Sequence, residues 1–280
     1  AESLEKLLPN MIIAKPTIMT AVPRFYQNLY TKISINFSKQ KGLKKKLIES
    51  TIFLGTKILN GKELNFKEKI VNFLCEKLVR KKIKNQFGGK LKAFVSGGGA
   101  LDQNIGEFLN SIGLPTLQGY GLTEASPVVS CNIPGKIKIE TVGPPFKTNQ
   151  VMIAEDNEIL VKGENVMLGY WNMQKETEDI IKDGWLHTGD EGEIDKDGFL
   201  KITGRVKDIF KTSKGKYIAP SPIEMKLSEN SNIEQVCVVG TGIPQPIALV
   251  VLSENAKKTV NYKESIEETL IDVNLTLDKH

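Results

Sequence analysis

The sequence predicts a mixed α/β protein: a parallel-sheet βαβ subdomain, then a small antiparallel barrel, then a truncated α+β C-terminal domain. Three observations carry this expectation. The segment LKAFVSGGGALDQNIGEFLNSIGLPTLQGYG runs from an apolar stretch through a glycine turn and a helical stretch to a second apolar stretch. After Cys131 the texture changes to short strands separated by turns. From Arg205 onward a lysine-rich loop, two apolar strands and helical stretches alternate. The expected boundaries are 1–131, 132–204 and 205–280, and the 280 residues suffice for about two domains of ordinary size.

Each element has a local reason. From Ala1 to Thr31, short apolar runs alternate with Pro9, Pro16 and Pro23, and PTIMTAVP reads as a short buried strand between two prolines. Residues 32–90 read as largely helical; within them Ile70, Phe73, Leu74 and Leu78 share an apolar arc opposite Glu68, Asn72 and Glu76. The βαβ unit comes next, and ligands of such units sit at the carboxyl ends of the strands. KIETVGPP, NQVMIAEDNEILVKG and GEIDKDGFLKITG then read as strands, with hairpins about Asp156–Asn157 and Asp195–Gly198. A helix is expected near Pro222 to Glu229, then strands QVCVVG and IALVVL. A last helix sets Ile266, Leu270, Val273 and Leu277 on one face and meets no cap before His280, and the chain starts at Ala1 without a methionine, so truncation is expected at both ends.

Composition excludes several classes. The proportions, 40% apolar and 25% charged, are globular. No apolar run reaches the roughly 20 residues that span a bilayer, and no signal peptide opens the chain, so a soluble, cytoplasmic protein is expected. Cys75, Cys131 and Cys237 lack metal-ligand spacing and read as reduced, packed thiols. The net charge of +5 is uneven: sixteen Lys or Arg stand against four Glu between Lys39 and Lys92, leaving the rest near −7. That basic segment reads either as a solvated helical face or as a surface for anionic lipid. Nucleic acid is not expected, for there is no recognition motif and only three arginines, Arg24, Arg80 and Arg205.

Two stretches offer chemistry. Ser96 with Gly97, Gly98 and Gly99 lies between a strand and a helix, where glycine lets a ligand approach the backbone; a plain tight turn reads equally well. At the end of the next strand, Gln118, Gly119, Tyr120, Gly121, Leu122, Thr123 and Glu124 set an aromatic face, a hydroxyl and a carboxylate at the same sheet edge. Tyr120 suits stacking on a base, Thr123 a phosphate, and Glu124 Mg²⁺; a polar loop with a half-buried tyrosine is the alternative.

The strings YGLTEASPVVS, GWLHTGD and GFLKITGRVKDIFKTSKGKYIAPSPIE, in this order, resemble the adenylate-forming acyl-CoA synthetases, most closely the long-chain fatty acid branch. SGGGALD, TVGPPF, EILVKGENVMLGYW and PTIMTAVPRFYQ are similar to the same branch. The resemblance implies an ATP-dependent ligase that joins a fatty acid to coenzyme A with Mg²⁺ as cofactor. It implies that Gly97–Gly99 and Gln118–Tyr120 wall the adenine and acyl pocket, that Thr123 touches phosphate, and that Glu124 holds the metal. Asp190 would take the ribose hydroxyls and Arg205 the ribose and phosphate region. Lys207 would be the hinge of the C-terminal domain, Lys211 would reach the nucleotide, and both also read as solvated linker lysines. His187 is expected to hydrogen-bond within its turn rather than act as a base.

The sequence departs from the family pattern in three places. No Ser/Thr/Gly-rich loop ending in lysine is present, nor the family's lysine near the C-terminus, and Lys214 stands where many relatives have glycine. These 280 residues alone are therefore expected to retain little or no ligase turnover. Two other readings stay open: a non-catalytic nucleotide- or lipid-binding module of the same fold, and an adenylating ligase for another acid. Chain length of the acid and oligomeric state are not legible.

Overall fold

The computed structural model describes residues 6–230, 232–253, 256 and 261–276. The chain divides into two compact units: residues 1–151, 161–179 and 194–201 form the first, and 152–160, 180–193 and 202–280 the second.

The first unit begins with helix α1 (Leu7–Ala14), strand β1 (Ile18–Ala21) and helix α2 (Pro23–Ser38), whose proline at the first position needs no backbone donor. The basic segment is helical as expected: α3 (Gly42–Leu59), α4 (Phe66–Cys75), a π turn over Glu76–Arg80, and α5 (Lys81–Gln86). Asn65 caps α4 reciprocally with Glu68. From α4 to the end of α5, Cys75, Val79, Ile83 and Phe87 are all buried, a strict repeat of four.

Strand β2 (Ala93–Ser96), helix α6 (Gln103–Ser111) and strand β3 (Thr116–Gly121) form the expected βαβ unit; β1 and β3 both run parallel to β2. Asp102 starts α6 by accepting from the Ile105 amide at 2.9 Å. Strand β4 (Val128–Cys131) closes the sheet antiparallel to β3, giving the order β1-β2-β3-β4. The expected buried strand at PTIMTAVP is corrected here: β1 pairs on one side only, and its residues alternate between exposed and half-buried. The core beneath the sheet holds Phe25, Tyr26, Phe87 and Phe94, mostly in edge-to-face contact with centroids 5.2–5.8 Å apart. Burial pushes the Tyr26 phenol far above its ordinary pKa, and its hydroxyl donates to the Val95 carbonyl at 2.9 Å.

Arg80 is buried and fastens three elements. Its Nε donates to the Ser111 carbonyl at the end of α6 (3.0 Å), one terminal amine to the Thr51 carbonyl of α3 (3.1 Å), and the other to Asn72 Oδ1 (2.7 Å). Gly55 of α3 lies so close to Ser111 that a Cβ would stand 2.2 Å from its carbonyl oxygen.

KIETVGPP is not a strand. Gly143 (φ 82) and two prolines break the ladder, and Asn132 takes its place: its amide donates to the carbonyls of Lys138 and Thr141 and accepts from the Lys138 amide. Strands β5 (Asn149–Ile153) and β6 (Glu158–Gly163) form the hairpin about Asp156–Asn157, with the Ala154 amide on the Glu158 carbonyl. Helix α7 (Gln174–Ile180), strands β7 (Ile181–Lys182) and β8 (Trp185–Ile194), and β9 (Leu200–Arg205) come after it. The second sheet has the order β5-β6-β8-β7, with β9 paired to β8 through the hairpin at Asp195–Gly198. In the first unit, Lys138 holds that hairpin through Asp195 and Asp197 and lies over the Phe199 ring at 4.5 Å.

In the second unit, β10 (Phe210–Lys211) pairs with β11 (Tyr217–Ile218), helix α8 (Pro220–Leu227) comes next, and β12 (Ile233–Val239) pairs antiparallel with β13 (Ile247–Leu252). Helix α9 (Tyr262–Thr276) buries Val273 against Leu227, Ile233 and Val238, with Ile266 beside them; Leu270 is exposed and Leu277 lies outside the described residues. Cys237 is exposed on the outer face of β12, so only Cys75 and, in part, Cys131 are packed. Among the described residues no helix is long and apolar enough to cross a membrane.

Candidate active site

Parallel register decides where the first group of site residues falls. Ala21, Ser96 and Gln118 are aligned across β1, β2 and β3, so the segments after β2 and β3 emerge at one carboxyl edge. A Cβ on Gly97 would stand 4.0 Å from the Gly119 carbonyl, which makes the two segments neighbours. In the glycine turn only Gly98, at φ 77, needs glycine for its backbone; a Cβ at Gly97 or Gly99 would meet no atom closer than 3.5 Å. The turn is thus an open cradle beside Ser96, which is buried with its hydroxyl unpartnered. A ligand oxygen entering the turn meets backbone, which fits a nucleotide.

Gln118 has a structural job. Its Oε1 accepts from the Leu101 amide (3.0 Å) and its Nε2 donates to the Ile139 carbonyl, so the buried amide ties the far end of the glycine loop to the 138–145 loop. Gly119 and Tyr120 come next on β3, paired with Cys131 and Ser130, with Tyr120 half-buried. Gly121 leaves no alternative, since a Cβ there would lie 1.7 Å from the Pro127 carbonyl oxygen.

Thr123 and Glu124 begin a 3₁₀ turn directly after β3. Thr123 is exposed, and Glu124 is half-buried and held twice. Its carbonyl accepts from the Met167 amide (2.8 Å), and its Oε1 accepts from the Tyr170 hydroxyl (2.7 Å), which raises the Tyr170 pKa. Among the described residues no cluster of three or more His, Cys, Asp or Glu could hold a metal. One oriented carboxylate suits Mg²⁺ that takes its remaining ligands from phosphate and water.

The second group belongs to the second unit. Asp190 on β8 is buried, and its Oδ1 accepts from Arg205 Nε at the end of β9 at 2.9 Å; its amide donates to Thr188 Oγ1. Arg205 is largely exposed beyond that contact. Glu158 of β6 reaches the neighbouring strand β8, accepting from the Gly189 amide at 2.8 Å and lying 2.7 Å from His187 Nδ1, so His187 is engaged by a carboxylate of another strand and not by a group of its own turn. Lys211 is exposed on β10, its ammonium 5.1 Å from the centroid of the Tyr217 ring. The left-handed position of the loop after β10 is taken by Gly215 (φ 83), which leaves Lys214 an ordinary backbone. Lys207 lies in the short 3₁₀ turn Val206–Asp208.

The structure therefore gathers Gly97–Gly99, Gln118–Tyr120, Thr123 and Glu124 in one unit, and Asp190 with Arg205 in the other. Sequence reasoning missed Tyr170 and Glu158 as the groups that orient Glu124 and the His187–Gly189 stretch of β8. Tyr170 sits in LGYW, a string that carries the resemblance but to which no role attached.

A βαβ carboxyl edge with an open glycine turn and an oriented acid is a ligand-binding arrangement of α/β proteins, and comparison gives the family. The profile described as AMP-binding enzyme matches residues 5–171, and that of the AMP-binding enzyme C-terminal domain matches 207–280; the chain belongs to the AMP-binding enzymes. It is similar to a long-chain-fatty-acid–CoA ligase of Mycobacterium tuberculosis, 36% identical over 256 residues, covering 90% of this chain and 42% of that protein. Long chain acyl-CoA synthetase 3 of Arabidopsis thaliana is 32% identical over 260 residues, covering 88% and 39%. The chain thus spans about two fifths of the length of these relatives. Its fold is that of o-succinylbenzoate CoA synthetase from Bacillus subtilis solved with an acyl-adenylate, with TM-score 0.66, 22% identity, and coverage of 99% of this chain and 48% of that one.

Proposed function

We propose that these residues are the nucleotide-handling part of an ATP-dependent long-chain fatty acid CoA ligase, in which the acid and ATP give acyl-AMP and pyrophosphate, and CoA then gives the thioester and AMP. The observation that carries this is the shared carboxyl edge of β2 and β3, at which the glycine turn and, farther along, the turn with Thr123 and Glu124 leave the sheet. The long-chain names of the relatives support the acid.

In the first step the acid's carboxylate oxygen attacks the α-phosphorus as the bond to the pyrophosphate oxygen breaks. Gly97–Gly99 and Gln118–Tyr120 line the base and acyl moieties, and Thr123 donates to phosphate. Glu124, oriented by Tyr170, holds Mg²⁺, which when bound neutralises charge on the phosphates. Asp190 receives the ribose hydroxyls, while Arg205 and Lys211 supply positive charge near the ribose and phosphates. The texture changes support domain boundaries at 1–131, 132–204 and 205–280, with movement about Lys207. A cytoplasmic location with peripheral contact on anionic membrane belongs to the same reading, supported by the lysine excess between Lys39 and Lys92.

Calorimetric titration with AMP tests it. The chain should bind AMP and form little or no acyl-CoA, and Asp190→Asn, which removes one charge at nearly constant shape, should weaken AMP at least tenfold. Undiminished AMP affinity in that variant would refute the assignment.

A further inference from the structure

Helix α4 exposes an apolar face to solvent. An amphipathic helix on a globular protein ordinarily faces its apolar stripe to the core. Here the inward side is mixed: Cys75 is buried and Val71 half-buried, but beside them Glu68 pairs with Lys57 of α3 at 2.7 Å, and Asn72 accepts from the buried Arg80. The apolar arc of Phe66, Ile70, Phe73, Leu74 and Leu78 lies in solvent, with Phe66 79% and Phe73 57% exposed. These positions fall on one side of the helix over about three turns, so the exposed residues form a stripe rather than scattered points.

The charges around the stripe identify what it meets. Lys67 and Lys69 flank it and are exposed, and Lys77 lies within it, its ammonium 4.4 Å from the centroid of the Phe73 ring. A ring under a long cationic side chain is the arrangement of an interfacial helix, in which aromatic groups enter the acyl boundary and ammonium groups remain among the headgroups. The segment from Lys39 to Lys92 carries a positive excess of 12, sixteen basic side chains against four Glu. A second copy of the chain fits this face poorly, because a twofold interface would set the same lysines against each other.

We infer that the Phe66–Leu78 stripe with its lysine border is a docking face for an anionic phospholipid surface. This deepens the peripheral-contact reading and is independent of the ligase reading. The lysines give attraction to the headgroups, and Phe66 and Phe73 give the insertion that holds the chain after contact.

Co-sedimentation of the 280-residue chain with phosphatidylcholine vesicles, with and without phosphatidylglycerol, tests it. Binding should require phosphatidylglycerol and weaken with salt. The double substitution Phe66→Ser/Phe73→Ser, at exposed positions, should lower vesicle partition at least tenfold while circular dichroism stays native. Lys67→Gln/Lys69→Gln should lower binding to anionic vesicles and flatten its salt dependence. Anionic-dependent binding unchanged by the phenylalanine substitutions would place the contact on another face and overturn this inference while sparing peripheral contact. Absence of vesicle binding would overturn both. Self-association abolished by the phenylalanine substitutions, without vesicle binding, would put a second copy on the stripe. The same loss of vesicle binding must occur in any longer protein carrying this chain; if vesicle binding is absent there, other polypeptide covers the face and the inference fails.

Discussion

Replacing Gln118 by Met keeps the length of the side chain and removes both of its polar contacts. The Leu101 amide and the Ile139 carbonyl, each buried, would then lack a partner. Leaving one buried backbone group unsatisfied costs about 1–3 kcal/mol, so the two together cost about 2–6, and about 3 kcal/mol is expected once Met packs in the vacated space. Domains are stable by only about 5–15 kcal/mol, so the loss is a large share. With a urea slope of about 2 kcal/mol per M, the midpoint of the first unit should fall by about 1.5 M. Hydrogen exchange should locate the effect, with the Leu101 amide losing protection well before amides at the far end of α6. A midpoint within about 0.3 M of the parent, with Leu101 still protected, would refute the clasp. AMP affinity should fall in the same variant, because Leu101 anchors the end of the glycine cradle.

Arg80→Met should destabilise the first unit by about 4 kcal/mol, since three hydrogen bonds from one buried cation are lost, each worth about 1.5–3 kcal/mol before relaxation; urea unfolding measures it. The Lys138 cluster should show in acid. Its hydrogen bond to Asp195, helped by the Phe199 amide, lowers the Asp195 pKa to about 2. Because the folded value lies below the unfolded one of about 3.9, the stabilisation is whole above about pH 4 and lost as pH falls through 2. Parent and Lys138→Met should therefore differ in urea midpoint at neutral pH and converge toward pH 2; an undiminished gap at pH 2 would contradict the pairing.

What was legible in the chain depends on the range of the interactions. The βαβ unit at Ala93–Gly121 showed itself because its apolar runs, glycine turn and Asp102 cap are local signals. The hairpins at Asp156–Asn157 and Asp195–Gly198 did so for the same reason. KIETVGPP misled because its backbone is satisfied by Asn132, a side chain that any propensity reading assigns to a loop. The Glu124–Tyr170 contact joins residues 46 apart, and no spacing rule predicts it. The orientation of α4 was equally hidden: periodicity gave the apolar arc, but Lys57 and Arg80, on neighbouring segments, decide that the other side goes in. At the site, residue types were readable and pairings were not: the two hydrogen bonds of Gln118 reach segments 17 and 21 residues away and belong to no local pattern.

The π turn at Glu76–Arg80 makes the length of this segment matter as much as its composition. In an ideal α-helix a repeat of four drifts about 40° at each step, so Cys75, Val79, Ile83 and Phe87 would spiral off a common line. The wider turn, closed by the Lys81 amide on the Glu76 carbonyl, winds less per residue and takes back part of that drift. It behaves as one surplus residue in the count. Loss of one residue at this turn would close it to an ordinary α-helical turn and leave α5 near its present phase to the core, whereas gain of one would rotate α5 by about 100°, so the segment has slack in one direction of length and none in the other.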